Sequence, residues 1–290
     1  MTKIRRRLVP YGLLGPGAIW LALFFVVPMY FMAQLALRSG TFTEGYTFSW
    51  DWANFPNALE GRGELIGRTF YYSAAATVLA LLIAYPLAYA IAIKASPRWR
   101  LLLLFAVIAP FFTTYLIRTI AWKTILADAS PIVSVLQSVG LLGDDGRLLA
   151  TSTAVIAGLT YNFLPFMILP IYASLERVDL GLIEAAKDLY ASTRQAFLKV
   201  TLPLTMPGVV AGVLLTFIPA FGDYVNAQIL GSPNTFMIGN RIQSLYLVDR
   251  NYPEAAALSF MMMAAVLILI LVYIRAAGTR AFMGEEEEAR

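Results

Sequence analysis

Six apolar runs dominate the chain, with polar residues collected between them. They lie at about 11–36, 69–93, 101–122, 150–175, 208–230 and 255–274. A helix needs about 20 mostly apolar residues to cross a bilayer, and each run meets or exceeds that length. The runs are unbroken rather than alternating, so they predict helices and not barrel strands. Pro28, Pro86, Pro110, Pro165, Pro170 and Pro219 fall inside the runs or near their ends. Such prolines are expected to kink the helices, which lipid-embedded helices tolerate where neighbours satisfy the freed carbonyls. The pattern predicts an all-α membrane protein with six transmembrane helices, forming a single transmembrane domain over 1–290.

The longest polar interruption is the loop at 176–206, which contains EAAKDLYASTRQAFLKVTLP at 184–203. Glu184–Leu189 has a helical composition, and Ser192-Thr193-Arg194-Gln195 matches the capping box S-x-x-Q. The loop therefore predicts two short helices with a break near Tyr190-Ala191. Leu189, Ala196, Phe197 and Val200 give it an apolar side. Two readings stand: a peg that docks into a groove of a soluble partner, or an amphipathic hairpin lying on the bilayer. A second short helix is predicted from Ser130-Pro131, with serine as N-cap, proline in the first turn and Gly140 beyond its end. Its apolar residues Ile132, Val135, Leu136 and Val139 share one face. That face suits either the membrane surface or an extracytoplasmic partner. The loop at 39–68 is rich in aromatic residues, which suit an interfacial belt or a contact surface.

Composition agrees with the pattern. Of 290 residues, 59% are hydrophobic and only 14% charged, against about 25% charged in soluble domains. The N-terminal apolar run is longer than the core of a signal peptide and lacks a clear cleavage site, so it is read as a retained first span. The basic residues then set the topology. With the N-terminus inside, the cytoplasmic segments hold fourteen basic residues: Lys3, Arg5, Arg6, Arg7, Lys94, Arg98, Arg100, Arg177, Lys187, Arg194, Lys199, Arg275, Arg280 and Arg290. The other side holds Arg38, Arg62, Arg68, Arg118, Lys123, Arg147, Arg241 and Arg250. Both termini are placed in the cytoplasm, and so is the 176–206 loop. The net charge of +4 is a topology signal, and no basic face is left over for nucleic acid.

Candidate chemistry is sparse. With no cysteine and no histidine, thiolate zinc sites, disulfides and imidazole bases are excluded, and no metal site is predicted. No lysine follows a glycine, so a Walker A loop cannot be written. Asp223 is the one carboxylate well inside an apolar run. An ionised side chain there costs about 2.5–3.5 kcal/mol on insertion scales and needs a partner or a water-filled cavity. Two readings stand: with Tyr224 and Asn226 it lines a translocation pathway, or it pairs with a basic residue of another span such as Arg118. Tyr161-Asn162, in the fourth run, is a second pathway candidate. Gly208-x-x-x-Gly212 permits close helix approach, either within the chain or at a subunit interface.

The polar loop resembles the signature of permease subunits of ATP-binding-cassette (ABC) importers, E-A-A-x-x-x-G followed by I-x-L-P. Glu184, Ala185, Ala186, Leu202 and Pro203 match at the right spacing, and Val200 stands in for the isoleucine. Tyr190 occupies the glycine position, where φ > 0 is easily reached only without a Cβ. Tyrosine there must either adopt the strained conformation or shift the break. PYGLLGPGAIWLALFFVVP, PFFTTYLIRTIAW, YNFLPFMILPIYASLERVD, FIPAFGDYVNAQILG and MIGNRIQ extend the likeness over nearly the whole chain, which is most similar to permeases of polyamine (spermidine/putrescine) importers. The resemblance implies a type I ABC importer permease fold in a bacterial inner membrane, surrounded by lipid. It also implies a second permease subunit, two ATPase subunits docked on Glu184, Ala185, Ala186, Asp188, Tyr190, Leu202 and Pro203, and an extracytoplasmic substrate-binding protein. ATP and magnesium would then be bound by the partner ATPase, with no cofactor in this chain and no catalysis. The alternatives are a permease for another small solute and a stand-alone secondary transporter or channel.

Overall fold

The computed structural model describes residues 14–143 and 146–277. The basic N-terminal cluster, Asp144, Asp145 and the acidic C-terminal tail lie outside the described residues. Five described helices are long and apolar enough to cross a membrane: α1 (Leu14–Ala36), α3 (Gly63–Lys94), α7 (Ser152–Glu176), α9 (Thr193–Gly222) and α12 (Tyr252–Ala277). A sixth element is a pair, α4 (Pro97–Phe112) and α5 (Tyr115–Ile125), bent by 96°. Shorter helices are α2 (Asn54–Leu59), α6 (Pro131–Ser138), α8 (Leu180–Asp188), α10 (Val225–Leu230) and α11 (Ile238–Leu247). A hairpin of β1 (Arg38–Thr41) and β2 (Gly45–Phe48) is the one sheet among the described residues. It gives the aromatic-rich loop at 39–68 two short strands, where the apolar pattern predicts no element. TFTEGYTF alternates, Gly45 leaves the turn at φ 89°, and in β1, across the hairpin, a Cβ on Gly40 would lie 2.2 Å from the Gly45 carbonyl oxygen.

Two span boundaries also differ from the apolar pattern. The third run was expected to be one helix over 101–122. Instead Ala109–Phe112 tightens to a 3₁₀ turn, and Thr113 and Thr114 are extended before α5 starts in a new direction. Pro110 lacks the N–H that would continue the α ladder, and two β-branched residues follow it. The fifth helix starts near 193 rather than 208 and ends at Gly222, not 230, because Asp223 is extended and α10 starts afresh.

The contacts divide the chain into two compact units. In the unit that runs to Gly63 and includes Ile242–Ala265, Arg62 pairs with Glu254, and Asn251 Nδ2 donates to Glu254 Oε2 at 2.6 Å. Asn54 Nδ2 donates to the carbonyls of Ala36 and Arg38, fixing the start of the hairpin. Phe48, Trp50, Trp52 and Phe55 follow one another in ring contact, with centroids 5.0–6.5 Å apart. The side chains of α1 around Phe24 and Phe25 are exposed, as expected for a face that hydrocarbon solvates.

The second unit, Glu64–Arg241 with the chain from Val266, is built on α7. Ala76, Ala80, Ala84 and Ala88 form an i, i+4 stripe on α3 and are fully buried; the last three pack in a core with Met167, Ile168, Ile171 and Leu175 of α7. On the other side α9 closes on α7 through its glycines. A Cβ on Gly208 would lie 2.4 Å from Ser174 Oγ and 2.5 Å from the Pro170 carbonyl oxygen, and one on Gly212 would lie 2.9 Å from Met167 Sδ. The Gly-x-x-x-Gly pair thus serves packing within the chain.

Two prolines are accommodated in the same way. The Val27 N–H bonds the Ala22 carbonyl and the Leu202 N–H bonds that of Phe197, each five residues back. Pro28 and Pro203 follow directly. A proline ring clashes with the carbonyl four residues earlier. A wide π turn just ahead of it moves that carbonyl aside, so the helix continues.

Candidate functional site

Two places carry the candidate residues. The first is the polar segment between α7 and α9. Asp179 caps α8 by accepting from the Gly181 N–H at 2.9 Å. At the other end of α8 the Ala191 N–H donates to the Ala186 carbonyl (3.0 Å) and the Tyr190 N–H to that of Lys187 (2.9 Å). This pair of bonds is a Schellman motif, whose C′ residue is left-handed and usually glycine. Here it is Tyr190, at φ 62°. Of the two options left open by the sequence, the tyrosine takes the strained one, at a cost of about 1–2 kcal/mol relative to glycine. The break has not shifted.

The next helix begins two residues later. Ser192 Oγ accepts from the Gln195 N–H (3.3 Å), and Gln195 Oε1 accepts from the Ser192 N–H (2.9 Å), so the capping box is formed. The expected second short helix is, however, the first turn of α9 itself, carried into the membrane helix through the π turn Phe197–Thr201 and past Leu202 and Pro203. The apolar side is also redistributed. Ala196 is buried, and Phe197 packs edge-on against Tyr85 (5.6 Å) and Tyr89 (6.1 Å) of α3. Tyr85 and Thr205 share a hydroxyl hydrogen bond of 2.8 Å. Leu189 and Tyr190 instead stand out at the tip, 82% and 97% exposed. Glu184, Ala185 and Asp188 are exposed on α8, and Ala186 is half-buried.

The turn between α3 and α4 is tied to the same end of the unit. Arg100 donates to the Ala92 carbonyl at 2.6 Å and lies 3.7 Å from Glu176, which also accepts from the Tyr172 hydroxyl.

The second place is a buried polar network at the break after α9. Asp223 is only 8% exposed. It accepts from the Tyr115 hydroxyl and from the Asn226 N–H, the latter at 2.8 Å. Asn226 Nδ2 donates to the Tyr115 oxygen (2.5 Å), and Asn162 Nδ2 donates to Asn226 Oδ1 (3.1 Å) and to Thr119 Oγ1 (3.2 Å). Asp223 thus finds its partner on α5, as one reading expected, but the partner is Tyr115. Arg118 stacks instead over the Phe111 ring at 4.8 Å. Gly158 makes room: a Cβ there would lie 2.7 Å from Asn226 Oδ1.

Of the five pathway candidates, Asp223, Asn226 and Asn162 come together in this network. Tyr224 and Tyr161 do not. Tyr224 is 41% exposed, with its carbonyl accepting from Asn240, and Tyr161 packs on Trp122 at 5.3 Å. Tyr161 also lines, with Arg118, an apolar cavity of about 280 Å³ between α3, α4 and α7. Tyr115, Thr119 and Asn240 were not legible as site residues. The only hint was a tyrosine and a threonine inside PFFTTYLIRT, a stretch too apolar to suggest a hydrogen-bonded cluster.

Five described apolar helices of membrane-spanning length, with a capped helix–turn–helix between α7 and α9, define a multi-span membrane protein. Residues 18–278 match the model of the "Binding-protein-dependent transport system inner membrane component" family, and the chain belongs to that family. It is an ABC importer permease of the inner membrane. The spermidine/putrescine transport system permease protein PotB of Haemophilus influenzae is 38% identical over 258 residues, covering 89% of this chain and 90% of the relative. PotB of Escherichia coli is 40% identical over 201 residues, covering 69% and 73%. The inner membrane ABC transporter permease protein YdcU of Escherichia coli is 34% identical over 222 residues, covering 73% and 69%. Among solved structures, a bacterial ABC transporter that imports alginate superposes with a TM-score of 0.72 at 20% identity, over 94% of this chain and 96% of that one. The methionine transporter MetNI in an inward-facing form gives 0.53 at 16% identity, over 77% and 95%. These likenesses establish the fold.

Proposed function

We propose that the chain is the membrane-spanning subunit of a polyamine importer, carrying spermidine or putrescine. The observation that carries this reading is the 38% identity to a spermidine/putrescine permease over nine-tenths of both chains. It forms the translocation pathway with a second permease. Substrate arrives from an extracytoplasmic binding protein, and two ATPase subunits bind ATP and magnesium. This chain itself does no bond chemistry.

The docking segment supports that division of labour. Glu184, Ala185, Ala186, Asp188 and Tyr190 lie on α8 or its terminal turn, and Leu202 and Pro203 mark where the segment enters the membrane helix. Closure of the ATPase dimer pushes on α8. The capped turn passes that motion to α9, whose Phe197 and Thr205 pass it on to Tyr85 and Tyr89 of α3. The permease pair then alternates between inward and outward access, a two-state switch biased by nucleotide. The short capped turns suit such a lever because they hold its shape under load.

For the pathway residues, the buried network suggests separate duties. Asp223, Asn226 and Asn162 hold α5 and α10 on α7. Tyr224, with its ring half out of the protein, and Tyr161, on the cavity wall, are the better candidates for contact with a cation, through their π faces. A second reading, a permease for a different solute, is favoured by nothing specific among the site residues.

The test is to reconstitute the full complex in vesicles and measure ATP hydrolysis with binding protein and polyamine. Stimulation by spermidine or putrescine is expected. Stimulation by an unrelated solute and by neither polyamine would remove the substrate assignment.

A further inference from the structure

Tyr190 combines three properties that rarely coincide. It is an aromatic L-residue at φ 62°, in a position that glycine fills without strain. Its side chain is 97% exposed, and the neighbouring Leu189 is 82% exposed. And the turn that holds it is rigid: two Schellman bonds close α8 behind it, and the capping box opens α9 two residues ahead. Nothing among the described residues rewards the strain, since the ring stands almost wholly exposed. A large apolar pair held out on a stiff, strained turn is preorganised for burial against something else, because little motion remains to be frozen on binding. Tyrosine is also among the residues that most often dominate an interface.

We infer that Tyr190 is the specificity anchor of the docking segment. Its ring inserts into an apolar-walled notch in the docking groove of this protein's own ATPase subunit, with Leu189 covering the rim. The inference rests on the docking role proposed above and adds a prediction about the partner. The groove must be open where Tyr190 projects, and an ATPase whose groove closes tightly on a glycine turn will be rejected by steric clash. Lys187, Asp188 and Arg194 are exposed around the turn, so the notch is flanked by polar residues of mixed charge.

The test turns on a substitution whose effects on the turn and on the interface are opposite. Tyr190→Gly relieves the strain and leaves the fold intact, but removes the ring. Tyr190→Asn also tolerates the left-handed conformation and serves as a second variant without an aromatic ring. Tyr190→Phe keeps the ring. The permease pair is placed in nanodiscs, and the purified ATPase subunit is titrated onto it. Binding to the Gly and Asn variants is expected to weaken by about tenfold or more, with the Phe variant within about threefold of wild type. Equal or tighter binding by the Gly variant would overturn the inference, because the turn would then matter and the ring would not. If the unsubstituted permease bound no ATPase, the docking reading itself would fall, and the anchor with it.

Discussion

At the scale of single residues, burial decides what Asp223 does. A carboxylate in an apolar run suggests a ligand for a passing cation. In the structure it is 8% exposed and already engaged by Tyr115 and Asn226. Asp223→Leu would leave a hydroxyl and a backbone N–H without an acceptor, at about 1–3 kcal/mol for each orphaned group. A clear drop in the melting temperature of the detergent-solubilised permease is expected, whereas Asp223→Asn, which keeps one acceptor oxygen, should lose much less. If both variants melted like the wild type while uptake vanished, the carboxylate would be a transport residue and not a fastener. Gly208 poses a similar question of fit. Its Cβ position is occupied by the Pro170 carbonyl and by Ser174, and backbone cannot step aside cheaply. Gly208→Val is therefore expected to cut the yield of monodisperse protein several-fold, and Gly208→Ala to do so less. The spacing of Gly208 and Gly212 announced a close approach, but only the coordinates identify α7 as the helix approached.

At the scale of elements, helices were legible where apolar character and capping agreed, and misread where the backbone broke inside an apolar stretch. Hydrophobicity measures what a segment is dissolved in, not whether its hydrogen-bond ladder is continuous. Hence 101–122 looked like one helix, although Pro110 and two threonines divide it, and 208–230 looked like one although the chain turns at Asp223. The docking segment was read more fully, because Ser192 and Gln195 form a local motif that needs no tertiary context. Ser192→Ala should weaken the start of α9 by about 1 kcal/mol, and its effect should appear as slower uptake at unchanged ATPase binding. The π turn gives a sharper test. Pro203→Ala removes the reason for the wide turn, and relaxation to a regular α-helix would rotate the segment ahead of it by about 100° relative to α9. Docking would then be misdirected: hydrolysis is expected to persist while substrate-coupled uptake falls. Equal losses of both would point to simple misfolding.

At the scale of the whole molecule, the sided distribution of basic residues predicts that the α8 tip lies in the cytoplasm. Because the chain has no cysteine, a single Tyr190→Cys variant reports this directly. In right-side-out vesicles it should resist a membrane-impermeant maleimide until the membrane is opened, and a Trp50→Cys variant should react at once. The reverse pattern would invert the topology. The class of protein was legible from the six runs and the E-A-A segment. What the sequence could not convey was which polar residues are spent inside the chain, since that depends on which helices meet.

The 96° bend after Phe112 has a consequence for the lipid. Only Pro97–Phe112 of the third span rises along its own axis, twelve α-helical residues and four in a 3₁₀ turn. That is a length of about 26 Å, short of the roughly 30 Å hydrocarbon layer of a typical bilayer. Leu101, Leu102 and Phe105 of α4 are exposed, and if hydrocarbon covers them, headgroups are expected to dip inward to meet its end. The bilayer is expected to thin there, so that a membrane of shorter acyl chains should be the better solvent for this flank of the protein.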